Sequence, residues 1–153
     1  MLKLVQPGSV SMFFFLSASQ MSVYSPPFYT SRYGFKMCAR LYPLGDGIGR
    51  SSHISYFFVI MNGENDAILP WPFRQRVTLT LLDQSPARSN ISETFLPDVS
   101  SSSFQRPTTG MNVASGCPRF VSHELLASRQ NAYIKESVVF LKVTVDRTGL
   151  DQP

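Results

Sequence analysis

The clearest pattern in the chain is an alternation of apolar and polar residues along short segments. Residues 35–42 (FKMCARLY) carry an apolar side chain at every second position, which predicts a half-buried strand. Residues 54–61 (ISYFFVIM) are apolar on both sides and predict a strand covered on both faces. Further strands are predicted at residues 77–82, 92–95, 118–121 and 138–145. Their spacing indicates an all-β antiparallel sandwich.

Two features between the strands have their own local signals. Ser122 precedes HELLASR and is predicted to cap one or two helical turns within residues 122–129, before Gln130 and Asn131. Trp71 lies in LPWPF, where the flanking prolines favour an extended backbone. Its large ring is therefore predicted to anchor this loop to the core.

Composition agrees with one folded domain. The chain has 153 residues, of which 43% are hydrophobic and 16% charged, a balance that argues against disorder. Its 12 Phe and 11 Pro favour strands and rigid turns. The net charge is +4, but the basic residues are scattered, so nucleic acid is not expected as a partner.

Cofactor chemistry has little support in the sequence. Cys38, Cys117, His53 and His123 do not form a cluster with metal-ligand spacing, so neither a metal nor another cofactor is expected. The glycines of GDGIG lead into a predicted strand instead of a helix, which argues against a nucleotide site. Buried, reduced cysteines in a cytoplasmic protein are expected, and a disulfide stays an open alternative.

The first residues leave the compartment open. Residues 1–20 imitate a secretory signal, but Pro7 and Gly8 interrupt the apolar part, and residues 10–16 are too few to span a membrane. The expected location is the cytoplasm. In the secreted alternative, Asn90 in Asn-Ile-Ser would become a glycosylation acceptor.

Several blocks between about residues 24 and 150 resemble the carboxy-terminal domain of the tumour-necrosis-factor-receptor-associated factors, called the TRAF or MATH domain. They are SPPFYTSRYGFKMCARLY, GDGIGRSSHISYFFVIMNGENDAILPWPFRQRVTLTLLDQ, SSSSFQRP, MNVASGCPRF and NAYIKESVVFLKVTVD. The resemblance implies an antiparallel β-sandwich of about seven to eight strands. It places the domain at residues 22–150, after a divergent segment 1–21 and before a tail 151–153.

The resemblance also implies a function. Family members trimerise through a coiled coil and capture short extended peptides in the tails of cytoplasmic receptors. We therefore expect a non-enzymatic signalling adaptor module for TNF-receptor-family tails and their adaptors, acting in NF-κB and JNK signalling. Related TRAF proteins are further expected partners, and a chain without the coiled coil is expected to be mostly monomeric. The alternative is a secreted or membrane-associated MATH domain with an assembly role, as in the meprin proteases.

By the resemblance, one group of residues holds an acidic residue of the peptide. These are Arg40, Tyr42, Asp46 and Gly47. Arg40 and Tyr42 share the polar face of their predicted strand, where a guanidinium and a phenol can donate to one carboxylate. Without the resemblance, Arg40 would be interpreted as a solvated arginine paired with a nearby acid.

A second group matches the family's serine cluster, whose hydroxyls hold a Gln or Glu side chain. It consists of Ser101, Ser102 and Ser103. A hydroxyl both donates and accepts, so it suits either end of an amide. The alternative for a serine run between strands is a solvated linker.

Two further groups match the remaining parts of the family's groove. Phe57, Phe95 and Phe104 match the apolar floor, although an aromatic residue on a strand is commonly a core residue. The strand along which the peptide lies is matched by Val113, Ala114, Ser115 and Gly116. Small residues there would admit a second backbone. A tight turn before Cys117 and Pro118 is the alternative.

Departures from the family pattern also carry expectations. Pro43 and Leu44 are expected to alter the mouth of the acidic-residue pocket, and Leu96 replaces a frequent arginine near the groove. Residues 10–16 (VSMFFFL) are expected to replace the family's first strand; alternatively, residues 1–21 are the truncated beginning of a longer chain.

An enzyme is the rival class. A hydrolase could in principle use the serine cluster with His53 or His123 and Asp46 or Asp83. The sequence has no nucleophile-elbow motif or other catalytic spacing, so an enzyme is not expected.

Overall fold

The computed structural model describes residues 2–6, 8–16, 21–128 and 132–149, with residues 2–6 as backbone only. This part of the chain is an all-β sandwich. The strands are β1 Leu2–Gln6, β2 Ser9–Phe15, β3 Val23–Tyr24, β4 Phe28–Tyr29, β5 Lys36–Tyr42, β6 His53–Met61, β7 Val77–Leu81, β8 Ile91–Phe95, β9 Ser115–Ser122 and β10 Val138–Val145. Short helical turns are the 3-10 turns Gly47–Gly49, Asp66–Ile68 and Ser102–Phe104 and helix α1 His123–Leu126. No helix in these ranges is long and apolar enough to cross a membrane.

The strands form two antiparallel sheets. Sheet A has the order β1-β2-β10-β7-β8, and sheet B has the order β3-β5-β6-β9. The two-residue strand β4 also pairs with β5, so β3 and β4 lie one after the other along the same edge of sheet B. The predicted antiparallel sandwich is confirmed, and its strand count exceeds the prediction because β1, β3 and β4 were not predicted.

The core lies between the sheets and is built by alternation along each strand. From sheet B, Met37, Ala39 and Leu41 are fully buried, as the alternation of residues 35–42 predicts. From sheet A, Val139, Leu141 and Val143 face them and are equally buried. The hydroxyl of Tyr56 on β6 donates to the Lys142 carbonyl at 3.3 Å, which satisfies its polar end inside the sandwich.

The predicted long strands are confirmed with small shifts at their ends. β6 is buried on both faces, with only His53, Phe57 and Met61 half-exposed. β10 begins and ends at the predicted residues. β9 is longer than predicted, because Ser115–Ser122 pairs with β6 through a bulge between Ile54 and Tyr56.

The amino-terminal segment joins sheet A as predicted. β2 pairs with β10 from Phe15 opposite Val138 to Ser9 opposite Thr144, so it lies within the sheet. Val10, Met12 and Phe14 belong to the core, and Phe15 is exposed. Residues 10–16 are therefore largely a strand of the sandwich, preceded by a further strand β1 that the sequence did not predict.

The local predictions are confirmed in the described residues. The Ser122 Oγ accepts a hydrogen bond from the Leu125 N–H at 3.1 Å, and α1 ends at Leu126. The expected end at Gln130 and Asn131 lies outside the described residues. Trp71 donates from Nε1 to the Asp66 carbonyl at 2.9 Å and packs edge-on against Phe35, so it anchors its loop.

Both cysteines are free thiols in the structure. Cys38 is buried and Cys117 is half-buried. Burial raises the pKa of Cys38 to about 11, against a smaller opposing effect of Arg40. Burial also raises the pKa of Cys117, so both are protonated thiols with little nucleophilic character at neutral pH.

Candidate functional site

A cavity of about 360 Å³ opens on the outer face of sheet B. Its floor and walls come from β3, β5, β6, the turn after β5 and the segment before β9. We call it the Arg40 cavity; it is lined by Tyr24, Arg40, Tyr42, Asp46, Phe57, Val59, Met111, Asn112, Val113 and Ala114. Six of these were predicted site residues, brought together from four separate stretches of the chain.

Arg40 is held by contacts from two strands. Its guanidinium carbon lies 4.6 Å from the Tyr24 ring centre and 4.8 Å from the Tyr42 ring centre. Its Nε and Nη2 donate to the Ser22 Oγ at 3.2 and 3.1 Å. The alternative of a solvated arginine paired with an acid does not describe these contacts, because its partners are two aromatic rings and a hydroxyl.

Tyr42 supplies a phenol beside this cation. Its ring packs edge-on against Phe57, with ring centres 5.6 Å apart. Partial burial raises the pKa of Tyr42; Arg40 opposes this shift, and Asp46 and Tyr24 add to it. The phenol therefore stays protonated at neutral pH and is available as a donor to a carboxylate.

The turn that carries Asp46 and Gly47 is fixed by Ser55 on β6. The Asp46 N–H donates to the Ser55 Oγ at 2.8 Å, and this hydroxyl donates to the Pro118 carbonyl at 2.6 Å. Asp46 is half-buried at the cavity, and Gly47 is exposed with open space around its Cα. The predicted acidic-residue group is thus placed around one cavity, with Gly47 next to it in the chain.

The serine run forms an ordered turn after β8. Ser101 caps the turn Ser102–Phe104, with its Oγ accepting from the Ser103 N–H at 3.2 Å. Ser102 is exposed, and the other two are half-buried. The run is therefore an ordered turn and not a flexible linker. The Ser101 hydroxyl already accepts one hydrogen bond inside this turn.

Asn112 connects the serine run to the Arg40 cavity. Its Nδ2 donates to the carbonyls of Ser103 and Gln105, at 3.0 and 2.8 Å, and its N–H donates to the Ile60 carbonyl at 2.9 Å. Because Asn112 also lines the cavity, it links the backbone of the serine run to the Arg40 cavity.

The three predicted floor residues are divided between two places. Phe57 lines the Arg40 cavity. Phe95 and Phe104 pack instead around Phe58, at ring distances of 5.5 and 6.1 Å, and Phe104 is only 2% exposed. The expectation of one continuous aromatic floor needs this correction, because Phe57 and Phe58 are neighbours on β6 and point to opposite faces of sheet B.

The segment predicted to receive a peptide ends at an edge strand. β9 is the last strand of sheet B in the described residues, so its outer edge is unpaired there. Val113 is exposed, Ala114 lines the cavity, and Ser115 begins the strand. The alternative of a tight turn before Cys117 and Pro118 is wrong, because Ser115 and Gly116, directly before them, already lie within β9.

The lack of a side chain at Gly116 is required by packing inside the protein. A Cβ built on it would lie 2.5 Å from the Tyr56 carbonyl oxygen and 2.8 Å from the Phe57 Cα. The close backbone is therefore that of β6 inside the protein. The expectation that Gly116 is small in order to admit a ligand backbone needs this correction.

The residues that depart from the family pattern do not line the Arg40 cavity. Pro43 and Leu44 line a different cavity with His123, whose Nε2 lies 2.8 Å from the Pro43 carbonyl. Leu96 is exposed near Arg74 and Arg76. Their expected effect on the pocket would therefore be indirect.

The groups considered for a hydrolase are used elsewhere. The His53 Nδ1 lies 2.6 Å from the Ser52 Oγ. Asp83 accepts hydrogen bonds from the backbone N–H groups of Ser85, Ser89 and Ala132. Neither of these sets includes the serine run. Over the described ranges, no three His, Cys, Asp or Glu side chains cluster as metal ligands.

Sequence reasoning missed Tyr24, Val59, Met111 and Asn112. Tyr24 precedes a proline-containing stretch and belongs to a strand of two residues, too short for a periodic signal. Asn112 stands in a loop without a pattern. A bridge between Met61 and Met111 extends the pairing of sheet B, and Met111 and Asn112 both line the cavity.

Comparison with known proteins agrees with this architecture. The family model described as TRAF/meprin, MATH domain matches residues 20–142. TNF receptor-associated factor 5 of Homo sapiens is 61% identical over 130 residues, covering 85% of this chain and 23% of that protein. TNF receptor-associated factor 2 of Homo sapiens is 54% identical over 129 residues, covering 84% of this chain and 25% of that protein.

A solved structure shows the same fold. The Notothenia coriiceps TRAF5 structure superposes with a TM-score of 0.87 at 40% sequence identity, covering 95% of this chain and 76% of that chain. The chain belongs to the TRAF/meprin MATH domain family, and the resemblance found in the sequence is confirmed. The chain spans about a quarter of the length of the two human relatives.

Proposed function

We propose that this chain is a signalling adaptor module that binds short extended peptides in the cytoplasmic tails of TNF-receptor-family receptors or their adaptors. The observation that carries the proposal is the Arg40 cavity on the outer face of sheet B, which holds a guanidinium beside a protonated phenol. Asn112 lines the same cavity and donates a hydrogen bond to the backbone of the serine run. Names of the similar proteins support the receptor class.

The chemistry favours a peptide with a Gln or Glu followed by an acidic residue. The carboxylate of the acidic residue would accept from Arg40 and Tyr42 as a charge-assisted hydrogen-bonded pair. The Gln or Glu side chain would reach the hydroxyls of Ser102 and Ser103. The unpaired edge of β9 would take the extended backbone, in the manner of strand addition.

Titration of a peptide containing Pro-x-Gln-Glu tests the site. Its affinity is to be measured by calorimetry for the wild type, Arg40→Ala and a triple variant with alanine at Ser101, Ser102 and Ser103. Both variants should bind more weakly, each by roughly 10-fold, as expected when a charged or hydroxyl partner is lost. Equal affinity in all three proteins would rule the site out.

Salt separates the charge contact from the rest of the site. The affinity of the wild type should fall as ionic strength rises from about 0.05 to 0.5 M, because salt screens a partly exposed ion pair. Arg40→Ala should show a shallower fall. An equally steep fall in both proteins would mean that the carboxylate is bound elsewhere.

The proposal is one of binding without catalysis. It places the chain in the cytoplasm, with NF-κB and JNK signalling as the output and related TRAF proteins as partners. The two free thiols support a reducing compartment. Fractionation of cells that express the chain tests the location, and a glycan on Asn90 would contradict it. Turnover of generic ester substrates would contradict the absence of catalysis.

A further inference from the structure

The guanidinium of Arg40 is enclosed by residues of the two-residue strand β3 and its approach. Tyr24 pairs directly with Arg40 across β3 and β5 and places its ring 4.6 Å from the guanidinium carbon. Tyr42 covers it at 4.8 Å. Ser22 lies two residues before Tyr24 and accepts from Nε and Nη2.

These contacts restrain Arg40 in complementary ways. The rings attract the cation through their faces and limit its movement away from β5. The Ser22 hydroxyl accepts hydrogen bonds from Nε and Nη2, which form one edge of the planar guanidinium, and this limits rotation of the group. Nη1 takes part in neither hydrogen bond, so the end of the guanidinium keeps donors for a ligand.

We propose that Tyr24 and Ser22 are positioning residues that hold the Arg40 guanidinium ready for a ligand carboxylate. The inference deepens the proposed function and rests on it for the identity of the ligand. Fixing the guanidinium beforehand lowers the ordering cost of binding, so the two residues raise affinity without touching the carboxylate. This arrangement also makes the site specific for arginine, since a lysine ammonium has no planar group to stack between the rings and no pair of donors for Ser22.

Exposure separates this role from ordinary packing. The Tyr24 side chain is 45% exposed, so its removal should cost the fold little. Its ring nevertheless forms part of the Arg40 cavity. A variant at this position can therefore lose affinity while keeping its melting temperature, which a purely structural residue would not do.

Substitutions at Tyr24 test the role of the ring, with the Pro-x-Gln-Glu peptide as the probe. Tyr24→Phe keeps the aromatic face and should bind within about twofold of the wild type. Tyr24→Leu and Tyr24→Ala should lose about 2- to 5-fold. Wild-type affinity in Tyr24→Leu would show that apolar bulk suffices and would overturn the proposal.

A matched control and a double-mutant cycle isolate the contact with Arg40. Tyr33 carries a similar contact with Arg32, at 5.2 Å, outside the cavity, and Tyr33→Ala should leave the affinity unchanged. Tyr24→Ala should cause no further loss when added to Arg40→Ala. An equal loss in both backgrounds would mean that Tyr24 acts independently of Arg40, against the proposal.

A ligand-free measurement separates this inference from the proposed function. The Nε–H of Arg40, observed by NMR, should exchange slowly with solvent in the wild type and faster in Tyr24→Ala and Ser22→Ala. Unchanged exchange in both variants would overturn the positioning role, whatever binds. Slow exchange in a wild type that fails to bind the peptide would leave the positioning intact and reject the proposed ligand.

Discussion

At the scale of single residues, Asp83 shows a carboxylate used wholly for structure. Its Oδ1 accepts from the N–H groups of Ser85 and Ala132, at 2.9 and 3.0 Å. Its Oδ2 accepts from the Ser89 N–H and the Ser85 hydroxyl, both at 2.9 Å. Asp83 therefore ties the loop after β7 to the chain leading into β10, which accounts for an acid that the sequence offered only as a catalytic candidate.

The pH dependence of stability should report this carboxylate. Burial raises the pKa of Asp83, but the hydrogen bonds from Ser85, Ser89 and Ala132 outweigh it and lower the pKa from 3.8 to about 2. A lowered folded-state pKa means that the stabilisation is present above the unfolded value and is lost as pH falls through the folded one. Asp83 should thus stabilise the fold at neutral pH and lose that effect between about pH 4 and 2.

Thermal melts of Asp83→Asn test this expectation. The variant should melt well below the wild type at pH 7, because one carboxylate oxygen becomes an amide donor facing N–H groups. The difference should shrink between about pH 4 and 2. Asp98→Asn is the control, since Asp98 is exposed and its carboxylate, within the described residues, accepts hydrogen bonds from Ser100 alone. These bonds also lower the pKa of Asp98, so the control should show a smaller difference in the same pH range. A pH-independent difference for Asp83→Asn would contradict the assignment.

Gly116 gives a second prediction at this scale. Gly116→Ala should destabilise the protein by about 1–3 kcal/mol, because the new Cβ would meet the backbone of Tyr56 and Phe57. Denaturant unfolding measures the loss. Gly110→Ala serves as the control, since nothing lies within 4 Å of a Cβ at that position. A loss no larger than that of the control would show that β9 can move away from β6.

The sequence could reveal site residues whose partners lie on the same strand, but not those whose partners are brought near by a loop. Arg40 and Tyr42 share one strand face, so alternation alone places them together. Asn112 connects the serine run to the cavity through hydrogen bonds to Ser103 and Gln105, which depend on how a loop folds back. Nothing in a single sequence carries that information, and the same holds for Ser22 beside Arg40.

At the scale of elements, β2 is an amphipathic strand that ends in three consecutive phenylalanines. Phe14 faces the core at 4% exposure, whereas Phe15 is 64% exposed. Phe13 and Phe15 share the outer face, with ring centres 5.8 Å apart. The apolar run in the sequence hides this alternation, so residues 10–16 predict a strand but not which rings face the core.

A matched pair of substitutions tests the register of β2. Phe14→Ala should cost about 3–5 kcal/mol, as expected for an aromatic residue removed from a packed core. Phe15→Ala should cost less than about 1 kcal/mol, because its ring is largely in solvent already. Denaturant unfolding gives both values. Similar costs for the two variants would contradict the observed pairing of β2 with β10.

Strand length decided which elements the sequence could predict. β5, β6 and β10 have seven to nine residues, enough for alternation or a continuous apolar run to stand out. β3 and β4 have two residues each and are defined only by their pairing with β5. Tertiary pairing created these short strands, and one of them supplies Tyr24 to the Arg40 cavity.

At the scale of the whole molecule, the two sheets have separate tasks. The outer face of sheet B carries the Arg40 cavity, and sheet A closes the other side of the core. The family match begins at residue 20, whereas β1 and β2 precede it and make up two of the five strands of sheet A. Sheet A is thus completed by a part of the chain outside the matched region.

Deletion of residues 1–21 tests whether that segment is integral to the fold. Without β2, the apolar contacts of Val10, Met12 and Phe14 are lost, and β10 loses its pairing on one side. Each kilocalorie lost corresponds to about 2–4 °C at this chain length, so the melting temperature should fall by at least about 10 °C. Calorimetry measures the shift.

A shorter deletion makes that result specific to β2. Removing residues 1–7 deletes β1, which pairs only with β2 in the described part of sheet A, so its effect on the melting temperature should be clearly smaller. Ser22 and Tyr24 remain in both deletions. Peptide affinity of the shorter deletion should therefore stay within about twofold of the wild type, because it also keeps β2, which lines a cavity together with Tyr24. An unchanged melting temperature after the longer deletion would mean that sheet A is complete without β2.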